Sequence, residues 1–459
     1  MDLLRCAPMK HRTEQLPPLA PDSLAFALLR AAGVIASVIG GRNLDVALAV
    51  CWQAQSLSPA QRGAVQDLAY GALRQYGRGD FLLGHLLREA LDDEGDKPLL
   101  RGLLLAALYQ LEARPAAAHT TVNQAVSAAA TIGRGQFKAL ANAVLRTRLR
   151  QGGSLLAAAN ADPLAFHQHP QWWIDKIRSA YPLQWQEILA AGNAHPPMTL
   201  RVNLRRGTAE AYLARLDAVG IAARCLDEQA ILLERPQGVD KLPGFFDGLV
   251  SVQDWGAQRA ASLLDVQHGQ RVLDACAAPG GKTAHLLEIA DIDLLALDLD
   301  PLRTARIEEN LRRLGLNARV MAADCRKTDK WWDGRPFERI LADVPCSASG
   351  VVRRHPDSKW LRRPADIGKF ARSQREILTA LWRVLAPGGR MLICTCSLFP
   401  EENTAQLAAF MQDHADAQCL PLGGGVWDGT EHVAGNDALQ LIPQPEHDGF
   451  FYALLQKRI

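Results

Sequence analysis

The stretch Asp274-Ala275-Cys276-Ala277-Ala278-Pro279-Gly280-Gly281-Lys282-Thr283 follows an apolar run, Arg271 to Asp274, and leads into a helical pattern. A turn of small residues between a strand and a helix is where a doubly wound parallel sheet holds its cofactor. Glycine and alanine let the backbone approach a ligand closely, and free N–H groups at the helix start favour a carboxylate or another negative group. Lys282 adds a positive charge. A glycine-rich turn alone is weak evidence, since it also fits a plain structural turn, so the reading depends on what surrounds it.

Two cofactor classes are disfavoured at once. A triphosphate-binding loop needs Gly-x-x-x-x-Gly-Lys-Ser/Thr, and the position five before Gly281 is Cys276. The dinucleotide fingerprint Gly-x-Gly-x-x-Gly is also missing. Asp298, at the end of the next apolar run, stands where an acid accepts hydrogen bonds from ribose hydroxyls. Asp300 precedes Pro301 and reads as a helix cap with proline at the first helical position. Asp324 ends a third run, where its side chain can meet an adenine amino group.

Outward from this loop the text alternates apolar runs with amphipathic helices, the pattern of a parallel α/β sheet. The runs are Arg271 to Asp274, Leu294 to Asp298, Arg319 to Ala322, Arg339 to Asp343, Arg390 to Thr395 and Phe450 to Leu455. We assign 265–459 to this Rossmann-like domain. Upstream, 163–264 mixes aromatic-rich helical text with short extended pieces, Thr199 to Asn203 and Leu249 to Gln253, and reads as a small α+β module. Residues 23–155 read as all helix, with room for five to seven helices. Breakers stand at Gly40-Gly41, Gly77 to Gly79 and Gly133 to Gly135, and Asp22-Ser23 offers a capping start. Residues 1–22 carry prolines and basic residues with no continuous apolar stretch and are expected to be a flexible tail.

With 459 residues the chain fits several domains. Its 51 Lys+Arg against 49 Asp+Glu leave a net charge of +2, so bulk charge selects no partner. The nine cysteines are odd in number and include no C-x-x-C pair, which argues against a disulfide framework and a zinc site. Reduced thiols point to the cytoplasm. No apolar run is long enough to span a bilayer.

The fourth and fifth runs lead into Asp343-Val344-Pro345-Cys346-Ser347 and Cys394-Thr395-Cys396-Ser397, placing two cysteines at the carboxyl edge of the sheet beside the cofactor loop. Carbon 5 of cytosine is a poor nucleophile until a thiolate adds to carbon 6 and turns the ring into an enamine. After methyl transfer the carbon-5 proton must leave and the thiolate must be eliminated, which a second group can assist. A buried apolar thiol is the usual fate of a single cysteine. Cys394 is read that way.

Three stretches, Ala277 to Thr283, Asp343 to Ser347 and Thr395-Cys396-Ser397, resemble signature motifs of the RNA (cytosine-5) methyltransferases, and the likeness extends over roughly the last 290 residues. It implies S-adenosylmethionine as cofactor, bound by Cys276, Ala277, Ala278, Pro279, Gly280, Gly281, Lys282, Asp298, Asp324 and Asp343. It makes Cys396 the nucleophile and Cys346 the residue that assists release, whereas in DNA cytosine-5 enzymes the Pro-Cys cysteine attacks. Asp343 is expected to hold the cytosine edge. Val344 departs from the family's usual alanine.

Arg353, Arg354, Lys359, Trp360, Arg362 and Arg363 combine dense positive charge with an aromatic just after Cys346, and are expected to grip RNA while the target base turns into the pocket. The helical N-terminal region resembles the NusB-like RNA-binding domain in Ser58 to Arg62, Tyr109-Gln110-Leu111 and Lys138 to Arg146. The domain order implies 16S ribosomal RNA, naked or in an early small-subunit assembly intermediate, as partner of a monomer. The rivals are transfer RNA methylation and a non-catalytic RNA-binding factor.

Overall fold

The computed structural model describes residues 19–54, 56–422, 430–432 and 437–459. The expected tail, 1–22, lies almost wholly outside them. The chain divides into two compact units, Met1–Gln168 and His169–Ile459.

The first unit is helical. Seven α-helices run from Leu24 to Arg150: Leu24–Ile39, Leu44–Ala54, Pro59–Arg74, Tyr76–Leu86, Lys97–Ala113, Ala118–Ala129 and Lys138–Arg150. Ser23 caps the first by accepting from the Phe26 amide at 3.2 Å. Ser58 and Gln61 form a reciprocal capping box with Pro59 just inside the third. Leu28, Ile35, Leu104 and Leu108 lie in the buried core. Two expectations fail here. Gly77 to Gly79 do not break the chain but sit inside the helix Tyr76–Leu86, and the turn falls at Gln75. At Gly79 an added Cβ would come within 2.8 Å of Leu105, so the glycine serves close helix packing. The helix Pro163–His167, read as the start of the second module, packs into the first unit, with Ala165 fully buried in its core.

The second unit opens with helices Gln171–Ala180 and Trp185–Asn193, whose Trp173 packs edge-on against Phe399 at 5.1 Å. An antiparallel sheet follows, of β1 (Met198–Val202), β2 (Ala223–Cys225), β3 (Ala230–Leu233) and β4 (Val250–Val252), ordered β2-β3-β1-β4. The helix Ala209–Ala218 buries Tyr212 and Leu216 in the same cluster as β1 and β3.

Beyond the helix Trp255–Leu264 lies the large sheet: β5 (Arg271–Ala275), β6 (Asp293–Asp298), β7 (Arg319–Ala322), β8 (Phe337–Asp343), β9 (Leu385–Thr395), β10 (Ala417–Leu420), β11 (Thr430–His432), β12 (Leu439–Leu441) and β13 (Phe450–Lys457). Its order is β11-β12-β13-β9-β8-β5-β6-β7, with β10 on β13. The strands β5 to β9 pair in parallel, and β13 runs antiparallel to β9. Apolar clusters line both faces, which is why the central strands carry apolar runs. The chain moves outward from β5 through β6 to β7, then returns to place β8 on the other side of β5. Order therefore reverses between β5 and β8, and the crevice at their carboxyl ends is where such sheets bind ligands. Among the described residues no helix is long and apolar enough to cross a membrane.

Candidate active site

The loop after β5 is shaped by backbone conformations that few residues accept. Cys276 has φ +61°, the Ala278-Pro279 bond is cis, and Gly280 has φ +93°. Gly280 is required twice over, since an added Cβ would also meet the Ile307 backbone at 3.1 Å. The helix Gly281–Ile289 starts with no side-chain cap, which leaves its first N–H groups aimed at the crevice. Asp298, 3% exposed, accepts from the Ala278 amide at 3.1 Å and the Asp300 amide at 3.2 Å. Asp300 caps the next helix through the Leu302 amide at 2.8 Å, as expected. A bare helix start, a backbone cradle closed to any Cβ at Gly280 and a buried, oriented carboxylate fit a ligand that carries a carboxylate and a ribose. S-adenosylmethionine has both.

Asp343, at the end of β8, is held on both oxygens. Lys282 reaches Oδ2 at 2.6 Å, and the Cys394 thiol donates to Oδ1 at 3.2 Å. Cys394, read as a core thiol, is fully buried, yet it touches the acid directly. Beneath the loop, Asp274 accepts from Thr283 Oγ1 at 2.6 Å through one oxygen, while the other has no hydrogen-bond partner. Burial pushes its carboxyl up to about 7. Asp324 is engaged by Arg326, whose Nε lies 2.9 Å from Oδ1 and whose Nη2 lies 2.9 Å from Oδ2. That guanidinium holds Asp324 below the usual carboxylate range.

The two cysteines meet. Cys346 Sγ lies 3.4 Å from Cys396 Sγ, and both residues are half-buried. The neighbouring sulfur and burial hold the Cys346 thiol well above its usual range, so it keeps its proton. Backbone bonds align the loops: the Gly350 amide donates to the Cys396 carbonyl at 2.8 Å and Val344 to Cys394 at 3.2 Å. Gln374 Nε2 donates to the Pro345 carbonyl at 3.0 Å. The buried carboxylate of Glu402 accepts from Ser347 and Ser397, the residues after each cysteine.

The expected RNA grip needs correction. Arg353 is 2% exposed and paired with Asp448, while its Nη2 donates to the Gln444 carbonyl at 2.9 Å. Arg354 also pairs with Asp448 and reaches Asp254 Oδ2 at 2.8 Å. Lys359 is fully buried, with Nζ 2.7 Å from Asn193 Oδ1. These three cations are spent on internal partners. Arg362 borders the cysteine loop, with Nε 3.5 Å from the Ser347 carbonyl and its guanidinium 4.8 Å from the centre of the Phe370 ring. Trp360 is half-buried and Arg363 exposed.

Sequence reasoning missed Glu402, Asn403, Asp274 and Arg201. Arg201, on β1, is fully buried and reaches Glu288 through two nitrogens, at 2.9 and 2.8 Å, and the Gly281 carbonyl at 2.8 Å. The small module therefore touches the start of the cofactor helix. The available signals were Glu402-Asn403 behind Pro400, six residues past Cys396, and an arginine between the apolar Leu200 and Val202 of β1.

Three family models match: one described as 16S rRNA methyltransferase RsmB/F over residues 261–456, one as an RsmF/B-like ferredoxin-like domain over 169–240, and the NusB family over 25–150. The crystal structure titled PH0851 superposes with a TM-score of 0.75 at 22% identity, covering 96% of this chain and 100% of that one, which supports the fold. Fold and site define the class, an S-adenosylmethionine-dependent methyltransferase. The ribosomal RNA small subunit methyltransferase B of Pseudomonas syringae is 43% identical over 94% of this chain and 96% of its own length. That of Sodalis glossinidius is 45% identical over 87% of this chain and 91% of its own. The chain belongs to the ribosomal RNA small subunit methyltransferase B family.

Proposed function

We propose that the protein methylates carbon 5 of one cytosine of 16S ribosomal RNA, the position usually numbered 967, through a covalent adduct on Cys396. The observation that carries this reading is the contact of two thiols from adjacent strand ends, 3.4 Å apart. S-adenosylmethionine, when bound, supplies an electrophilic methyl group on a sulfonium.

The Cys396 thiolate adds to carbon 6, and electron density moves to carbon 5. Asp343, steadied by Lys282 and Cys394, meets the polar edge of the ring. Once carbon 5 carries the methyl, its proton leaves to solvent, the double bond re-forms and the carbon–sulfur bond to Cys396 breaks, with the Cys346 thiol donating to the departing Cys396 thiolate. Asp298 holds the ribose, Asp324 turns from Arg326 to the adenine, and Cys276 to Lys282 line the cofactor. Arg362 and Arg363 meet phosphates, with Trp360 beside them. The protein acts in the cytoplasm as a monomer on naked RNA or on an early assembly intermediate.

The test is methyl transfer from labelled S-adenosylmethionine to unmodified 16S ribosomal RNA, with transfer RNA and DNA alongside. Label in 16S RNA that is lost in Cys396→Ala supports the reading. Label confined to transfer RNA, or full activity in Cys396→Ala, overturns it.

A further inference from the structure

Glu402 lies in the short turn Pro400–Glu402 and is 1% exposed. Its Oε1 accepts from the Ser347 amide at 2.7 Å, and its Oε2 accepts from Ser347 Oγ at 2.6 Å and from Ser397 Oγ. Ser347 and Ser397 are the immediate successors of Cys346 and Cys396. The hydroxyls of Ser347, Ser349 and Ser397 stand 3.1 to 3.3 Å from one another. Ser349 Oγ also accepts from the Leu398 amide at 2.7 Å. Next in the chain, Asn403 accepts from Thr395 Oγ1 at 2.6 Å and donates to the Ser397 carbonyl at 2.8 Å.

Burying a carboxylate costs several kcal/mol unless its lone pairs are filled. Here they are filled by groups from two loops that share no covalent link nearby. One side chain therefore fastens both cysteine loops at the residue after each sulfur. Burial raises the Glu402 carboxyl above its usual range, and the serine bonds and Arg362 oppose that rise.

We propose that Glu402 is a positioning residue which, through Ser347 and Ser397, keeps the Cys346 and Cys396 sulfurs in contact during turnover. This rests on the two-cysteine chemistry above, in which one sulfur attacks carbon 6 and the other donates to it as it leaves. A thiol can donate to a departing thiolate only at contact distance. A misplacement of about 1 Å in such an arrangement costs on the order of 10²-fold in rate.

The test reads the sulfur pair directly, without RNA. The full chain is treated with substoichiometric diamide, and the Cys346–Cys396 disulfide is quantified by peptide mass spectrometry. Each thiol gives up a proton, and the two electrons reduce the azo bond to a hydrazine. In Glu402→Ala the disulfide forms on the order of 10-fold more slowly, and kcat falls about 10²-fold with KM for RNA near wild type. Glu402→Gln, which keeps an acceptor for the Ser347 amide, recovers most of both. A folded Glu402→Ala that cross-links at the wild-type rate overturns the proposal. Should Glu402→Ala fail to fold, Ser397→Ala decides it, and a folded Ser397→Ala that cross-links at the wild-type rate overturns it. Loss of the Cys396 assignment would show as transfer surviving in Cys396→Ala, while the cross-linking result would stand by itself.

Discussion

Cys346 and Cys396 face each other sulfur to sulfur at 3.4 Å although 50 positions separate them in the chain. Their strands β8 and β9 pair in parallel, so the loops leave the same sheet edge side by side. Removing either thiol should therefore have opposite signatures. Cys396→Ala lowers methyl transfer by about 10³-fold or more, because no other group can add to carbon 6. Cys346→Ala retains addition, and a protein–RNA adduct accumulates on a denaturing gel. An adduct seen with Cys396→Ala instead would reverse the two roles.

Asp298 is oriented by two backbone amides before any ligand arrives. Asp298→Ala removes an acceptor for ribose hydroxyls and loosens the Ala278 turn. Hydrogen bonds to a charged group contribute about 1.5–3 kcal/mol, so the cofactor Kd rises roughly 10- to 100-fold. Titration calorimetry measures it, and an unchanged Kd would remove Asp298 from the site.

Gly280 combines φ +93° with a close approach to Ile307. Gly280→Ala places a side chain in left-handed backbone and against a neighbouring helix, at a cost of about 1–3 kcal/mol. Urea unfolding should show the loss, with weaker cofactor binding. Gly281→Ala, where the nearest atom is Gln253 Nε2 at 3.8 Å, is the mild comparison.

Arg201 and Glu288 form a fully buried pair between β1 and the cofactor helix. Arg201→Met leaves Glu288 charged and alone, which destabilises by about 3–5 kcal/mol. Adding Glu288→Leu should recover much of that loss, and equal instability of single and double variants would argue against the pair.

Asp274 carries a folded-state value of about 7 against an ordinary 3.8. A raised acid is protonated in the folded chain and ionised in the unfolded one between those values. Its contribution to stability is thus present below about pH 4 and declines as pH rises through 7. Asp274→Asn removes this dependence. Relative to wild type it should gain stability between pH 5 and pH 8 in thermal melts, and parallel pH profiles would show that Asp274 does not titrate there.

The strands of the large sheet were legible because burial in a sheet core favours apolar runs, and each predicted run, from Arg271 to Asp274 through Phe450 to Leu455, lies within a strand, the last of them antiparallel to its neighbours. The cofactor turn was legible because Gly280 and its small neighbours have few other uses. Gly77 to Gly79 misled because a glycine at a helix–helix contact reads the same as one at a turn. Arg353, Arg354 and Lys359 misled because sequence shows a charge but not the partner that faces it: Asp448 lies 95 and 94 positions from the two arginines, and Asn193 lies 166 positions from Lys359.

What the sequence by itself determined was local: which segments are strands or helices, where the backbone must turn sharply, and which two cysteines end strands. These follow from periodicity, sterics and side-chain chemistry within a few residues. What only the tertiary structure decided was pairing across distance: the sulfur contact, the serine–glutamate clasp beside it, Lys282 and Cys394 on Asp343, and the internal pairing of three arginine-loop cations. A hydrogen bond between residues 50 or more positions apart depends on strand order and loop path, and those are set by packing of the whole domain.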